Sequence, residues 1–145
     1  MMSDLHLNEK QPYISIKPNS VRELKTANSI RDIPVFGRSL EALQEIITQY
    51  SDSTYLLPQY ASERGGSNAS GAMNKRFKAR GFPNLTTHCF RHALKDLLRN
   101  SNCPESLLDE IQGHGTQTAA KNYGKGSSLE RKAKALAEAY SLIPE

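Results

Sequence analysis

The 145-residue chain has no tryptophan, only two cysteines, and no apolar run approaching the ~18 residues of a membrane span. Each shortage removes a class of protein. Two thiols, Cys89 and Cys103, are too few for the disulfide scaffold of a small secreted domain, and no apolar leader opens the sequence. A reducing, cytoplasmic setting with both thiols free and no membrane partner follows as the expectation. Aromatic residues make up 7% of the chain, so any core must be largely aliphatic. Neither an internal repeat nor a low-complexity tract is present, and the length suits one domain over residues 1–145.

What is present is a modest excess of positive charge. Nineteen Lys and Arg against fifteen Asp and Glu leave a net charge of +4. That total permits nucleic-acid binding without demanding it, and the clustering of the cations carries more information. Lys75, Arg76, Lys78 and Arg80 form such a cluster, with no acid among them. A solvated helix face is the ordinary reading. Their position just ahead of a histidine-rich segment favours phosphate tracking on DNA instead.

Hydrophobic spacing sets the expected elements. Tyr13-Ile14-Ser15-Ile16 alternates as a strand, and Ser29 to Val35 reads as a second, with Pro34 at an edge or strand end. The two would form a hairpin with a long polar tip. From Ser39, a plausible N-cap, Leu40, Leu43, Ile46, Ile47 and Tyr50 fall on one helical stripe expected to be core scaffolding. A loop is expected through Arg64-Gly65-Gly66-Ser67, with Tyr55 to Pro58 as a short extended piece. A helix from Ser70 to Gly81 would then turn Met73 and Phe77 inward. The helix beginning near Thr87 places Phe90, Ala93, Leu94, Leu97 and Leu98 on a buried stripe, with His88, Arg91, His92, Lys95 and Arg99 opposite. Pro104 opens a helix burying Leu107, Leu108 and Ile111 that stops at Gly113. Ser127-x-x-Glu130 has the form of a capping box, opening a C-terminal helix within residues 127–145 with Leu129, Ala133, Leu136 and Tyr140 on one face. The fold class expected is mainly α with a small antiparallel hairpin or sheet near the N-terminus, an α+β domain.

A guanidinium and an imidazole one helical turn apart can grip two oxygens of a phosphate, because arginine offers a planar fork and histidine a directed N–H. His88 and Arg91 have that spacing, and His114 and Tyr123 add a further donor and a hydroxyl. A metal site is the competing reading, since Cys89, His88, His92, Cys103 and His114 are all potential ligands. Arg91 between His88 and His92 would repel a divalent cation, and no Glu follows the first histidine. No metal is expected.

The ordered set His88-x-x-Arg91, then Gly113-His114, then Tyr123 resembles the signature of the tyrosine recombinases, the phage-integrase family. The likeness implies that family's catalytic-domain fold, with Tyr123 as nucleophile and Arg91, His88 and His114 around the scissile phosphate. Lys25, on the loop between the strands, would be the general acid, with Lys17 as its rival. His92 and the Lys75, Arg76, Lys78, Arg80 cluster would contact DNA. Two positions depart from the family pattern: Gln112, where an apolar residue is usual, and Gly115. The chain is also expected to begin just past the family's first catalytic arginine, which would lower the rate on the order of 10²- to 10³-fold.

The resemblance further implies site-specific cutting and rejoining of double-stranded DNA through a 3′-phosphotyrosine link, as in prophage integration. A phenol has a pKa of about 10 and becomes a competent nucleophile where cations stabilise the charge gathering on the phosphorus oxygens. Because the phosphodiester energy stays in the covalent link, neither a nucleotide cofactor nor a metal is required. Other protomers, assembled as a tetramer on DNA in the nucleoid, would be the protein partners, with the helix in 127–145 docking in trans or in cis. A type IB topoisomerase-like enzyme and a non-catalytic DNA-binding remnant or regulator are the alternatives.

Overall fold

The structure, a computed structural model, describes residues 1–24, 29–114 and 126–144. Among these the chain is mainly helical with one small antiparallel sheet, as the patterning predicts. Strands β2 (Tyr13–Ile16) and β3 (Arg31–Pro34) pair with Ile14 opposite Ile33 and Tyr13 opposite Pro34. Pro34 ends the edge strand, where its missing N–H removes no ladder bond. A third strand, β1 (Leu5–His6), pairs with the other side of β2, and His6 stacks on Tyr13 with ring centroids 4.3 Å apart. Two residues are too few for alternation to register in a sequence.

Helix α1 (Gly37–Gln49) starts two residues before Ser39. Ser39 lies within its first turn, where its Oγ donates to the Phe36 carbonyl at 2.7 Å. The expected stripe forms but is only half-buried, and no residue of α1 is buried. α1 is therefore a peripheral helix rather than core scaffolding. Tyr55 to Leu57 form bends rather than an extended piece, and they run into a 3-10 turn at Pro58–Tyr60.

Helix α2 (Gly65–Ala79) begins five residues before Ser70, so Gly65 to Ser67 are helix and not loop. Glycine has a poor helix propensity, which hides such a start. Its use here is steric: a side chain at Gly65 would overlap the Tyr60 carbonyl, against which the helix rests. The far end closes as expected, with Gly81 N–H on Lys78 O at 3.1 Å and Phe82 N–H on Phe77 O at 2.9 Å. Met73, expected to point inward, is 45% exposed. Phe77 is half-buried and meets Phe90 at 5.7 Å between ring centroids.

Helix α3 (Thr87–Asn100) starts where the spacing predicts, with Thr86 at its N-cap position. Asn74 of α2 supports that start, its Oδ1 accepting from Thr87 N–H at 3.0 Å. The roll of α3 differs from expectation. Leu98 is fully buried and Leu94 and Leu97 pack at the core edge, but Phe90 is 53% exposed and Ala93 is exposed. Arg91 and Lys95 are half-buried in their place. A helical stripe fixes a hydrophobic side only to within a residue or so, and the neighbours decide the rest.

Those neighbours are α4 (Glu105–Gln112) and α5 (Leu129–Tyr140). α4 buries Leu107, Leu108 and Ile111 and stops at Gly113, as read from the sequence. α5 is capped by Ser128, whose Oγ accepts from Arg131 N–H at 3.2 Å, and not by Ser127. Ser127 instead donates through its N–H and Oγ to Glu110 at 2.8 and 3.3 Å. The buried face of α5 is accordingly Lys132, Ala135, Leu136 and Ala139, while Tyr140 is 47% exposed. α5 packs against α3 and β3 of its own chain. The core lies where α3, α4 and α5 meet β3, around Leu98, Leu108, Ile111 and Leu136. No helix among the described residues is long and apolar enough to cross a membrane.

Candidate functional site

The C-terminus of α4 is where cationic side chains from separate elements converge. A helix ends with carbonyls that lack intrahelical partners and carry the negative end of its dipole. Arg91 reaches across from α3 and donates through Nη2 to Gln112 O at 2.7 Å. In return, Gln112 Nε2 donates to the backbone oxygen of Arg91 at 3.0 Å. Gln112 is 3% exposed, and its Oε1 has no partner among the described residues. Gln112 is thus a buried clasp for Arg91.

Gly113 follows with φ +69°, a left-handed conformation that glycine adopts without the cost other residues incur. It also lies against Arg31 of β3: a Cβ at this position would stand 2.7 Å from Arg31 Cζ. Arg31 donates through Nε to Ile111 O at 3.0 Å and through Nη1 to Ser29 O at 2.8 Å. Burial and the nearby Arg91 charge both push the Arg31 pKa down. His114 comes next, exposed, its backbone N–H returning to Asp109 O at 2.9 Å. Desolvation, followed by the charges of Arg91 and Lys95, holds the imidazole below its ordinary pKa, with a smaller contribution from Arg31 and an opposing one from Asp109. The structure therefore brings Arg91 and His114 into one electrostatic neighbourhood, with Arg31 and Lys95 beside them.

His88 is exposed on the preceding turn of α3 and meets His92 edge to face, ring centroids 4.6 Å apart. Arg91 lies about 60° round the helix from His88, at the border between the exposed side and the core side. Lys75, Arg76, Lys78 and Arg80 are all exposed on α2 and the residue after it. That helix is joined to the start of α3 by the Ser70–Thr87 hydroxyl contact of 2.7 Å. Lys17 is drawn elsewhere, its Nζ 3.5 Å from the buried Asp4 carboxylate, which Arg22 also approaches at 3.4 Å. Lys25 and Tyr123 lie outside the described residues, as does Gly115. Among the described residues no three metal-ligating side chains converge.

Arg31 is the site neighbour that sequence reasoning did not single out. The local pattern Arg31-x-Ile33-Pro34 marks a strand and not a place beside Gly113. Its partner Ile111 stands eighty positions away, and only β3 packing against α4 brings the two together.

The chain is similar to a protein described as prophage ps2 probable integrase of Lactococcus lactis subsp. lactis (strain IL1403), 31% identical over 104 residues. The match covers 62% of this chain and 27% of that protein, so the chain spans well under half of its relative's length. No family model matches the chain. No solved structure matches it either.

Proposed function

We propose that this chain is part of the catalytic domain of a tyrosine recombinase of the phage-integrase type, cutting and rejoining double-stranded DNA. The observation that carries the reading is the meeting of Arg91 with the Gly113-His114 corner, two motif pieces far apart in sequence that share one helix terminus. The order of His88, Arg91, His114 and Tyr123 supports it, as does the likeness to a protein named as a probable integrase.

In this reading Arg91 and His114 hold the oxygens of the scissile phosphate while the Tyr123 hydroxyl attacks phosphorus and gives up its proton to solvent. The phosphate is transferred to the phenol oxygen, and the 5′-oxygen leaves with a proton from Lys25. A guanidinium fork and an imidazole N–H stabilise the charge on the pentacoordinate phosphorus, an electrostatic contribution of the oxyanion-hole kind. A 5′-hydroxyl of another strand reverses the step and completes the exchange. Exposed His92 and the cations of α2 follow the DNA backbone, and other protomers assemble on the same DNA.

The test is incubation with a nicked suicide duplex that traps a covalent intermediate, read as a protein–DNA adduct on a denaturing gel. A low yield of adduct that disappears in Tyr123→Phe is expected. An adduct that survives Tyr123→Phe would remove the nucleophile assignment. Salt-sensitive DNA binding with no adduct under any condition would favour a non-catalytic DNA-binding module.

A further inference from the structure

We propose that Arg31 is a positioning residue of this site, setting the Gly113-His114 corner against Arg91; the inference rests on the recombinase reading above. Two consecutive carbonyls at the end of α4 are each held by a guanidinium from a different element. Arg31 of β3 takes Ile111 O at 3.0 Å, and Arg91 of α3 takes Gln112 O at 2.7 Å. The bond from Arg31 Nη1 to Ser29 O at 2.8 Å fixes the guanidinium from its other side. Gly113 lies directly on this group, so the path by which the chain leaves α4 is shaped around the Arg31 plane. Without that plane, one of the two clamps on the helix end is gone, and the left-handed turn at Gly113 is free to re-aim His114.

The same arrangement sets the local field. The groups facing His114 are Arg31 from β3, Arg91 and Lys95 from α3, and Asp109 from α4. The hydrogen bonds from Arg31 and Arg91 to α4 go to carbonyls, which accept them without neutralising the charge. Such a corner favours a bound anion and a neutral imidazole. Lysine in place of Arg31 would keep the charge but lose the planar fork that spans Ile111 O and Ser29 O.

The test uses the whole chain as Arg31→Gln and Arg31→Lys, each checked for folding by circular dichroism. Three quantities are followed: DNA binding, the single-turnover rate of adduct formation, and the titration of His114 by NMR. Arg31→Gln should bind DNA nearly as well as the parent, since the many surface cations dominate affinity. Its adduct rate should fall on the order of 10- to 100-fold, as misplacement of catalytic groups by about an ångström does. Its His114 should titrate upward, because one of the cations opposing protonation is gone. Arg31→Lys should leave the His114 titration near the parent value without restoring the rate. If Arg31→Gln does not fold, Arg31→Lys carries the test through its rate and its His114 titration. An unchanged rate per folded molecule with an unchanged His114 titration would overturn the inference. Absence of adduct from the parent chain would count against the recombinase reading, whereas adduct from the parent at a rate that Arg31→Gln leaves unchanged would count against the role of Arg31 alone.

Discussion

Arg91 and Gln112 hold each other twice, the guanidinium on the Gln112 carbonyl at 2.7 Å and the Gln112 amide on the Arg91 carbonyl at 3.0 Å. One bond aims the arginine, and the other ties the backbone of α3 to the end of α4. The backbone oxygen of Arg91 lies inside α3 and already accepts from the N–H four residues on, so the amide adds a second bond to it. The bond from Arg91, by contrast, satisfies a helix-terminal carbonyl that has no such alternative.

Gln112 should therefore tolerate leucine better than alanine. Leucine fills the buried space and removes an unpartnered Oε1, at a cost of about 1 kcal/mol or less. Alanine leaves a cavity as well and should cost roughly 2 kcal/mol or more. Urea unfolding of the two variants measures the difference, and an equal loss from both would show that the amide bond and not the packing matters.

The cap of α5 distinguishes two adjacent serines. Ser128→Ala should cost about 1 kcal/mol, because its Oγ satisfies the Arg131 N–H. Ser127→Ala should cost less, since its backbone N–H keeps the 2.8 Å bond to Glu110. Thermal unfolding of both would reveal a reversed order if the helix were in fact capped one residue earlier.

The two thiols should react at different rates. Hydrogen bonds from Thr86, side chain and backbone, pull the Cys89 pKa down, whereas burial pushes that of Cys103 up. The thiolate is the reactive form, so at neutral pH Cys89 holds the larger reactive fraction, and the gap should narrow as pH rises past both values. Alkylation followed by mass spectrometry should label Cys89 first. A faster Cys103 would contradict the pairing of Cys89 with Thr86.

The cations of α2 should appear in the salt dependence of DNA binding. Replacing Lys75 and Arg76 with glutamine should flatten the plot of log K against log salt by about 1 to 2 units, if each residue meets a phosphate. The loss should be similar for any DNA sequence, because phosphate contacts carry no base information. An unchanged slope would place this face of α2 away from the DNA.

Local chemistry alone determined much of this protein. The strand at Tyr13–Ile16, the start of α3 near Thr87, the apolar side of α4 and its stop at Gly113 all follow from alternation and helical spacing, which depend on residues a turn or two apart. The placing of His88 and Arg91 on one helix was legible for the same reason, since their spacing is local. Tertiary packing decided the rest. Whether Phe90 or Arg91 faces the body depends on where α4 and α5 press on α3, and periodicity cannot resolve a rotation smaller than the width of the stripe. Arg31 became a neighbour of Gly113 only because β3 packs beside the end of α4, a contact between segments eighty residues apart that no local pattern encodes.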